Sequence, residues 1–165
     1  QHFIKKLKAG GRAGIIIKNT FLSNSDAKSL RKELLETCNL HTILNLPQKV
    51  FTAGVRTVVL FFEKGTPTKK IFYYDLNLDR NLGLTNPLNE KDLEEFVNLY
   101  TSKKEGLNSW SKNIKDVNKE TWDLTVKNPN IVEEIDERTP IEIMSKIEEL
   151  DEQSRTVLKK IKDLL

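Results

Sequence analysis

The sequence predicts an α/β fold, in which parallel strands and an antiparallel edge hairpin form one sheet and a helical extension follows at the C-terminus. Within residues 1–76, short apolar runs rich in β-branched and aromatic residues are interrupted by one helical stretch. Residues 139–165 instead carry apolar side chains at heptad spacing, which is typical of a helix that packs along a narrow seam. The chain is therefore expected to combine a sheet-based body with a long terminal helix.

The first two elements are a strand and a helix. The run GRAGIIIK, residues 11–18, follows a Gly-Gly turn and predicts a buried strand. The stretch SDAKSLRKELLETC, residues 25–38, predicts a helix whose start Ser25 or Asp26 can cap. Its apolar stripe at helical spacing consists of Leu30, Leu34 and Leu35.

Further strands are predicted at residues 40–47, 57–64 and 69–76. Pro47 ends the first of them, and the turn formers of GTPT separate the last two. The strand–helix–strand order favours a parallel sheet, whereas the later, closely spaced strands favour an antiparallel edge. Because so few parallel strands leave a face or an edge open, we expect further strands upstream of this chain.

Residues 77–130 have a different character, because turn formers dominate their first part, NLDRNLGLTNPLNE. The stretch 89–106 then predicts an amphipathic helix with Asn89 as its N-cap. Trp110 and Trp122 are expected to act as packing anchors, and a role in a functional site is the alternative. The apolar face of the predicted helix consists of Leu93, Phe96, Val97 and Tyr100.

The terminal helix has the clearest periodicity in the chain. Thr139 followed by Pro140 predicts its start, as an N-cap with proline at the first helical position. Its a and d positions alternate at spacings of four and three residues, and charged residues flank them. Such a narrow seam favours a partner helix, with packing against the body of the same chain as the alternative. The seam consists of Ile143, Ile147, Leu150, Ser154, Val157, Ile161 and Leu164.

The distribution of charge indicates a polyanionic partner for the first part of the chain. Residues 1–70 hold 13 Lys and Arg against 4 Asp and Glu, a net +9, although the whole chain carries only +3. Such a balance is typical of nucleic-acid binding, with an ordinary solvated surface as the alternative. No apolar run approaches the roughly 18–20 residues of a membrane span, and no signal peptide is recognisable. We therefore expect a cytoplasmic protein with no membrane partner.

A search for catalytic or metal chemistry finds little. The single Cys38 excludes an internal disulfide and, with only two histidines in the chain, predicts no zinc site. Gly10, Gly11 and Gly14 precede or enter a strand rather than joining a strand to a helix, so they predict no phosphate-binding loop. No nucleophile, base and carboxylate stand at a recognisable spacing. Taken alone, the chain is expected to contain no catalytic residue and no metal site.

The loop between the second and third predicted strands carries an isolated aromatic residue. Phe51 stands among polar and flexible residues, with Lys49 before it and Arg56 after it. An aromatic ring in such a loop is suited to stacking on a nucleic-acid base, since every base has a π face. The alternative is a hydrophobic plug beneath its own loop.

Long segments of the sequence together resemble one family. LKAGGRAGIII, then FLSNSDAKSLRKELLETCNLHTILNLPQKVFTAGVRTVVLFFEKG, then KKIFYYDLNLDRNLGLTNPLNEKDLEEFVNLY are similar to the C-terminal part of the modification subunit of type I restriction–modification systems. Members of that family are adenine-specific DNA methyltransferases that use S-adenosylmethionine and have a seven-stranded Rossmann-like catalytic domain.

The resemblance implies a division of the chain and a set of partners. Residues 1–76 would form the C-terminal half of the methyltransferase domain, 77–130 a family-specific connecting region and 131–165 a coiled-coil-type assembly helix. The seam of that helix would bind the specificity subunit. DNA, a restriction subunit and a second modification subunit are the other partners that the resemblance implies.

The resemblance also implies roles for the loop residues. Phe51 would stack on the flipped target adenine, and Lys49 and Arg56 would hold flanking phosphates of the DNA backbone. The family's aromatic-x-Gly-x-Gly cofactor motif and its Asn-Pro-Pro-aromatic tetrapeptide lie upstream in intact members, and TNPLN and KNPNI are not that tetrapeptide. The chain by itself is therefore expected to be inactive and to bind the cofactor negligibly.

The start of the chain bears on the competing interpretation. Gln1 is the first residue and Met144 the only methionine, so we expect the chain to be part of a longer product. The alternative is a non-catalytic DNA-binding or assembly module that acts through its basic face and terminal helix. A reading frame extending several hundred residues upstream would favour the enzyme, and a native start near Gln1 would favour the module.

Overall fold

The computed structural model describes residues 1–51, 54–131 and 138–162. The chain divides into two compact units, Gln1–Ile131 and Val132–Leu165. The first unit contains the sheet, and the second contains the terminal helix.

The first unit is built on a five-stranded mixed sheet. Its strands are β1 (Arg12–Lys18), β2 (Cys38–Asn45), β3 (Thr57–Lys64), β4 (Lys70–Asp75) and β5 (Ser109–Asn113). They lie in the order β1-β3-β2-β4-β5. β3 pairs antiparallel with both β1 and β2, β2 pairs parallel with β4, and β4 pairs antiparallel with β5.

The predicted mixed sheet is confirmed, but β3 lies inside the described sheet rather than at an edge. Because β1 and β2 are both antiparallel to β3, they run in the same direction without being hydrogen-bonded neighbours. β1 is an edge strand with no buried residue, and Ile16 is 55% exposed. The prediction of a buried first strand is therefore wrong, because the core covers only the face of β1 that carries Ile15 and Ile17.

The helices of the first unit are α1 (His2–Lys6), α2 (Lys28–Thr37) and α3 (Glu94–Ser102). A 3₁₀ turn at Ser25–Ala27 leads into α2. The side-chain oxygen of Asn24 accepts a hydrogen bond from the backbone nitrogen of Asp26 at 2.9 Å. The predicted cap at Ser25 or Asp26 is thus wrong, because the turn that precedes the helix begins one residue earlier.

Neither end of α3 matches the helix predicted at residues 89–106, because α3 starts at Glu94, after a 3₁₀ turn at Lys91–Leu93, and the side chain of Asn89 bonds to that turn. Asn89 Oδ1 accepts a hydrogen bond from the backbone nitrogen of Asp92 at 3.3 Å, and the Asp92 carboxylate accepts one from the backbone nitrogen of Asn89 at 2.9 Å. The helix ends at Ser102 instead of continuing to residue 106, because Lys103 adopts a left-handed conformation with φ 52°.

Two hydrophobic clusters cover opposite faces of the sheet, since successive residues of a strand point to opposite sides. Ile71 and Tyr73 of β4 belong to the first cluster, together with the buried leucines of α2. Phe72 and Tyr74 belong to the second cluster, together with Phe96 of α3. The sheet is therefore a middle layer with α2 on one side and α3 on the other.

Both tryptophans belong to the first cluster, so their predicted packing role is confirmed. The ring of Trp110 stacks on that of Tyr73, with centroids 5.5 Å apart and an interplanar angle of 8°. Trp122 is 9% exposed and adopts a positive φ of 52°, a conformation that costs a non-glycine residue about 1–2 kcal/mol. A second interaction is therefore needed to hold the backbone at Trp122 in place.

That interaction comes from Arg31 of α2, which sequence analysis does not single out. The side chain is 0% exposed, and its guanidinium donates hydrogen bonds only to backbone carbonyl oxygens. Arg31 thereby joins α2 to two segments of the chain, residues 21–24, which precede the helix, and residues 121–122, which follow it. The acceptors are Trp122 at 2.6 Å, Asn24 at 2.7 Å, Phe21 at 2.8 Å and Thr121 at 2.9 Å.

The second unit contains α4 (Pro140–Lys162). Its predicted start is confirmed: the backbone nitrogen of Thr139 donates to the Glu142 carboxylate at 2.6 Å, and the backbone nitrogen of Glu142 donates to Thr139 Oγ1 at 3.3 Å. Within the described ranges, neither α4 nor another helix has the length and apolar content to cross a membrane. Leu164 of the predicted seam lies outside the described residues. The apolar seam residues that are described, Ile143, Ile147, Leu150, Val157 and Ile161, are 38–55% exposed.

Candidate functional site

The carboxyl ends of three strands meet at one edge of the sheet. β1, β2 and β4 run in the same direction and end at Lys18, Asn45 and Asp75, beside the start of β3 at Thr57. A cavity of about 520 Å³ opens at this edge, and we call it the carboxyl-edge groove. In open α/β sheets, ligands bind outside the carboxyl ends of the strands, so this groove is the candidate functional site.

Polar groups at the strand ends line the groove. Asn45 Nδ2 donates a hydrogen bond to Asp75 Oδ1 at 2.6 Å. Burial raises the pKa of Asp75, while the hydrogen bond from Asn45 and the charge of Arg56 act in the opposite direction. Thr57 Oγ1 is buried and has no hydrogen-bond partner among the described residues. The groove thus combines a half-buried acid with a buried hydroxyl that has no hydrogen-bond partner among the described residues.

The loop with the isolated aromatic residue lies at the same edge, between the end of β2 and the start of β3. Val50 packs against the second hydrophobic cluster, whereas Phe51 is 42% exposed. The residue that anchors the loop is therefore Val50, and the ring of Phe51 is accessible. Lys49 and Arg56 are both exposed, and Lys49 adopts a left-handed φ of 65°. Residues 52 and 53 of this loop lie outside the described part of the chain.

The structure brings to this edge several residues that sequence analysis missed. Asn45, Thr57 and Asp75 belong to predicted strands and were assigned no role there. The available signal was a polar residue at the end of an otherwise apolar strand, as in TILN and FYYD. Which of these residues meet, however, depends on the order of the strands in the sheet, and that order is not readable from local spacing.

The glycines near β1 differ in the space beside them. A Cβ on Gly11 would come within 2.8 Å of the carbonyl oxygen of Lys8, whereas a Cβ on Gly14 would be at ordinary contact distance, 3.4 Å, from the Phe61 ring, and one on Gly10 would meet nothing within 4 Å. Across the described ranges, no group of three or more His, Cys, Asp and Glu side chains is placed to hold a metal ion.

The chain is similar to known subunits of restriction systems. A family model described as N-6 DNA methylase matches residues 1–138. The methylase subunit of the type I restriction enzyme EcoEI from Escherichia coli is 29% identical over 178 residues, which cover 100% of this chain and 36% of that subunit. The chain thus spans about a third of the length of this curated relative.

Solved structures agree with this similarity. A modification subunit of a putative type I restriction enzyme from Vibrio vulnificus YJ016 has a TM-score of 0.73 and 28% identity, and the match covers 79% of this chain and 31% of that one. A second solved structure, which concerns complex assembly and conformational transition of the type I R-M system, matches this chain with a TM-score of 0.72 and 29% identity. The match covers 100% of this chain and 38% of the solved chain. Since the family model matches well over half of its length, the chain belongs to the N-6 DNA methylase family.

Proposed function

We propose that this chain is the C-terminal part of an adenine-specific DNA methyltransferase, the modification subunit of a type I restriction–modification system. The intact enzyme would transfer a methyl group from S-adenosylmethionine to the exocyclic amine of adenine in DNA. The observation that carries the proposal is the exposed ring of Phe51, in a loop where it lies between exposed Lys49 and Arg56 in sequence and where Gln48 and Arg56 line the carboxyl-edge groove. Membership of the N-6 DNA methylase family supports it.

In this proposal Phe51 forms one wall of the site for the target base. An enzyme that modifies a base in duplex DNA must turn that base out of the stack, and the flipped base then needs a surface to stack on. An accessible aromatic ring provides that surface, and stacking contributes about 1–3 kcal/mol per base. Lys49 and Arg56, on the same loop, would contact the phosphates on either side of the flipped nucleotide and so fix its position.

The cofactor and the methyl-transfer step belong to residues outside this chain. S-adenosylmethionine would supply the methyl group, and the Asn-Pro-Pro-aromatic motif of the intact protein would hold the adenine amine. This chain would contribute its five strands to the catalytic sheet, together with the wall for the target base and the assembly helix. By itself it would be inactive, as one part of a cytoplasmic enzyme.

The seam of α4 would join the subunit to its assembly. We propose the specificity subunit as the partner of α4, with a second modification subunit and a restriction subunit completing the complex. The exposure of the apolar seam side chains and the relation of the chain to a type I R-M assembly support this assignment. In such a complex the specificity subunit would choose the DNA sequence, and this chain would take no part in that choice.

Replacement of Phe51 by alanine tests the proposal. In the intact modification subunit, assembled with its specificity subunit, Phe51→Ala is expected to lower methyl transfer to cognate DNA by about 5- to 150-fold, the equivalent of one lost stacking interaction. Phe51→Trp is expected to retain most of the activity, because tryptophan also presents a flat ring. Methyl incorporation from labelled S-adenosylmethionine measures the rate, and 2-aminopurine at the target position reports base flipping by its fluorescence.

Phe3 provides the matched control, since its ring is 56% exposed and belongs to α1 rather than to the groove. Phe3→Ala is expected to leave both signals unchanged. If Phe51→Ala methylates DNA at the wild-type rate, the ring does not hold the base and the proposed role of the loop is wrong.

The basic first half and the exposed helix seam favour a second candidate, a module that binds DNA or joins subunits without catalysis. The two candidates differ in one measurement. The protein encoded by the complete reading frame would be assembled with its specificity subunit and assayed for methyl incorporation into DNA. Incorporation is expected if the protein is an enzyme, and none is expected if it is a non-catalytic module.

A further inference from the structure

A second cavity, of about 410 Å³, lies at the opposite edge of the sheet. It opens at the amino ends of β2 and β4, roughly 20 Å from the carboxyl-edge groove along β2. We call it the amino-edge pocket. The residues that define its chemistry are Asn39, His41, Lys69, Lys70, Phe72 and Lys103.

A β-bulge shapes this pocket. In the pairing of β2 with β3, Leu40 lies opposite Phe62 and Thr42 opposite Phe61, so that His41 is an extra residue in β2. A bulge of this kind turns two successive side chains toward the same face of a sheet. His41 Nδ1 and Thr42 Oγ1 accordingly lie 2.9 Å apart. The bulge thus puts a histidine and a buried hydroxyl together at the pocket.

Lys103 reaches this pair from the end of α3. Its left-handed backbone directs the ammonium group inward, where it donates a hydrogen bond to Thr42 Oγ1 at 2.5 Å. The ammonium lies 4.0 Å from the centroid of the Tyr100 ring and 5.4 Å from that of Phe72. Desolvation lowers the pKa of Lys103 to about 8. Among the described residues, no carboxylate lies within ion-pair distance of this half-buried cation.

His41 lies beside this hydroxyl with its ring half-buried. Burial, followed by the charge of Lys103, lowers the pKa of His41 and favours its neutral form, while the charge of Glu63 acts in the opposite direction. In the tautomer in which Nδ1 accepts the proton of Thr42, Nε2 carries the ring proton and can donate to a ligand.

The remaining charge of the pocket is also positive. Lys70 forms an exposed ion pair with Glu105 at 3.4 Å, whereas Lys69 has no ion pair with a described residue. Lys103 is half-buried and has no carboxylate partner among the described residues, so an anion bound in the pocket would supply the missing opposite charge. Two lysines that lack a described carboxylate partner match a doubly charged phosphate better than a single carboxylate. Pro67, which is exposed, gives the pocket an apolar surface beside these cations.

We propose that the amino-edge pocket binds a small phosphorylated molecule, whose phosphate pairs with Lys103 and Lys69 and whose organic part lies against Pro67. The volume of the pocket lies in the range of small-ligand sites and exceeds what a phosphate alone would fill. Its position at the opposite edge from the carboxyl-edge groove makes it a separate site, and the proposal is independent of the proposed methyltransferase function.

The test is an NMR titration of the ¹⁵N-labelled chain with inorganic phosphate and with adenosine 5′-monophosphate at pH 7 and low salt. Saturable shifts are expected at the amides of His41, Thr42 and Lys103, with the nucleotide binding more tightly than phosphate. Lys103→Gln is expected to weaken binding about tenfold or more, because a charge-assisted hydrogen bond is lost. Lys104→Gln removes the same charge from an exposed neighbouring residue and is expected to leave the affinity unchanged.

A second variant keeps the test decisive if Lys103→Gln does not fold. Lys69 is exposed, so its substitution is expected to leave the fold intact. Lys69→Gln is also expected to weaken nucleotide binding. No saturable shift in the wild type, or equal losses for the substitutions at positions 103 and 104, would overturn the proposal. Displacement of the nucleotide by a short DNA duplex at equal phosphate concentration would also overturn it, since the pocket would then bind the nucleic-acid backbone.

Discussion

Replacing Arg31 by methionine is expected to lower the free energy of unfolding of the first unit by about 3–5 kcal/mol. Methionine donates no hydrogen bond, so the carbonyl oxygens of Phe21, Thr121 and Trp122 lose the guanidinium as a donor, while that of Asn24 still accepts from the backbone nitrogen of Ala27. The backbone at Trp122, held at a positive φ, loses one of the hydrogen bonds that stabilise it. Urea unfolding followed by tryptophan fluorescence measures the change, since both tryptophans lie in the affected cluster.

Lys32 supplies the control for this prediction, because it is the next residue of the same helix and its side chain is 53% exposed. Lys32→Met removes the same charge together with one surface ion pair to Glu36, and a loss below about 0.5 kcal/mol is expected. Equal destabilisation by the substitutions at positions 31 and 32 would show that the buried hydrogen bonds of Arg31 contribute no net stability.

Two aspartates in the seam of α4 are expected to abolish its association with the specificity subunit. Ile147→Asp combined with Leu150→Asp places two charges where an apolar surface is to be buried, and a loss of affinity of about 100-fold or more follows. Pulldown of the chain by the specificity subunit, followed by calorimetry, measures the effect. A version truncated after Pro140 is expected to behave like the double variant.

Ile141 is the matched control, since it is an apolar residue of the same helix, is 78% exposed and lies outside the seam. Ile141→Asp is expected to bind normally, because an acidic residue in the first turn of a helix is favourable. Circular dichroism of each variant separates loss of the helix from loss of binding. Wild-type binding by the double variant, or by the truncated chain, would show that α4 is not the assembly element.

The elements that sequence analysis predicted correctly are those whose pattern is local. The run TVVLFFEK predicts β3 with the bounds that the structure has, because a strand of β-branched and aromatic residues needs no distant partner to be recognised. Thr139 and Pro140 likewise mark the start of α4, since a cap bonds to residues three positions away. The loop that carries Phe51, Lys49 and Arg56 is likewise recognisable from local sequence, because polar and flexible residues separate two apolar strands there.

The features that sequence analysis missed depend on distant contacts. Arg31 interrupts a stripe of leucines and resembles a surface residue of α2, yet two of its four acceptors come from a segment some 90 residues further along the chain. The exposure of Ile16 follows from the place of β1 in the sheet and not from its composition. The amino-edge pocket depends on a bulge at His41 and on the left-handed backbone of Lys103, neither of which has a signature in the sequence.

The insertion of β3 between β1 and β2 has a consequence for synthesis of the chain. β1 and β2 leave the ribosome before β3. Among the described strands β1 pairs only with β3, so β1 and β2 cannot be joined in one sheet until β3 has followed. At about 5–20 residues per second, the roughly 40 residues between the end of β1 and the start of β3 take a few seconds to emerge. During that interval the aliphatic edge of β1 is available to chaperones and to other nascent chains. Arg56 and Thr57 arrive with β3, so the strand that joins β1 to β2 also brings two residues of the carboxyl-edge groove, and Asp75 follows with β4.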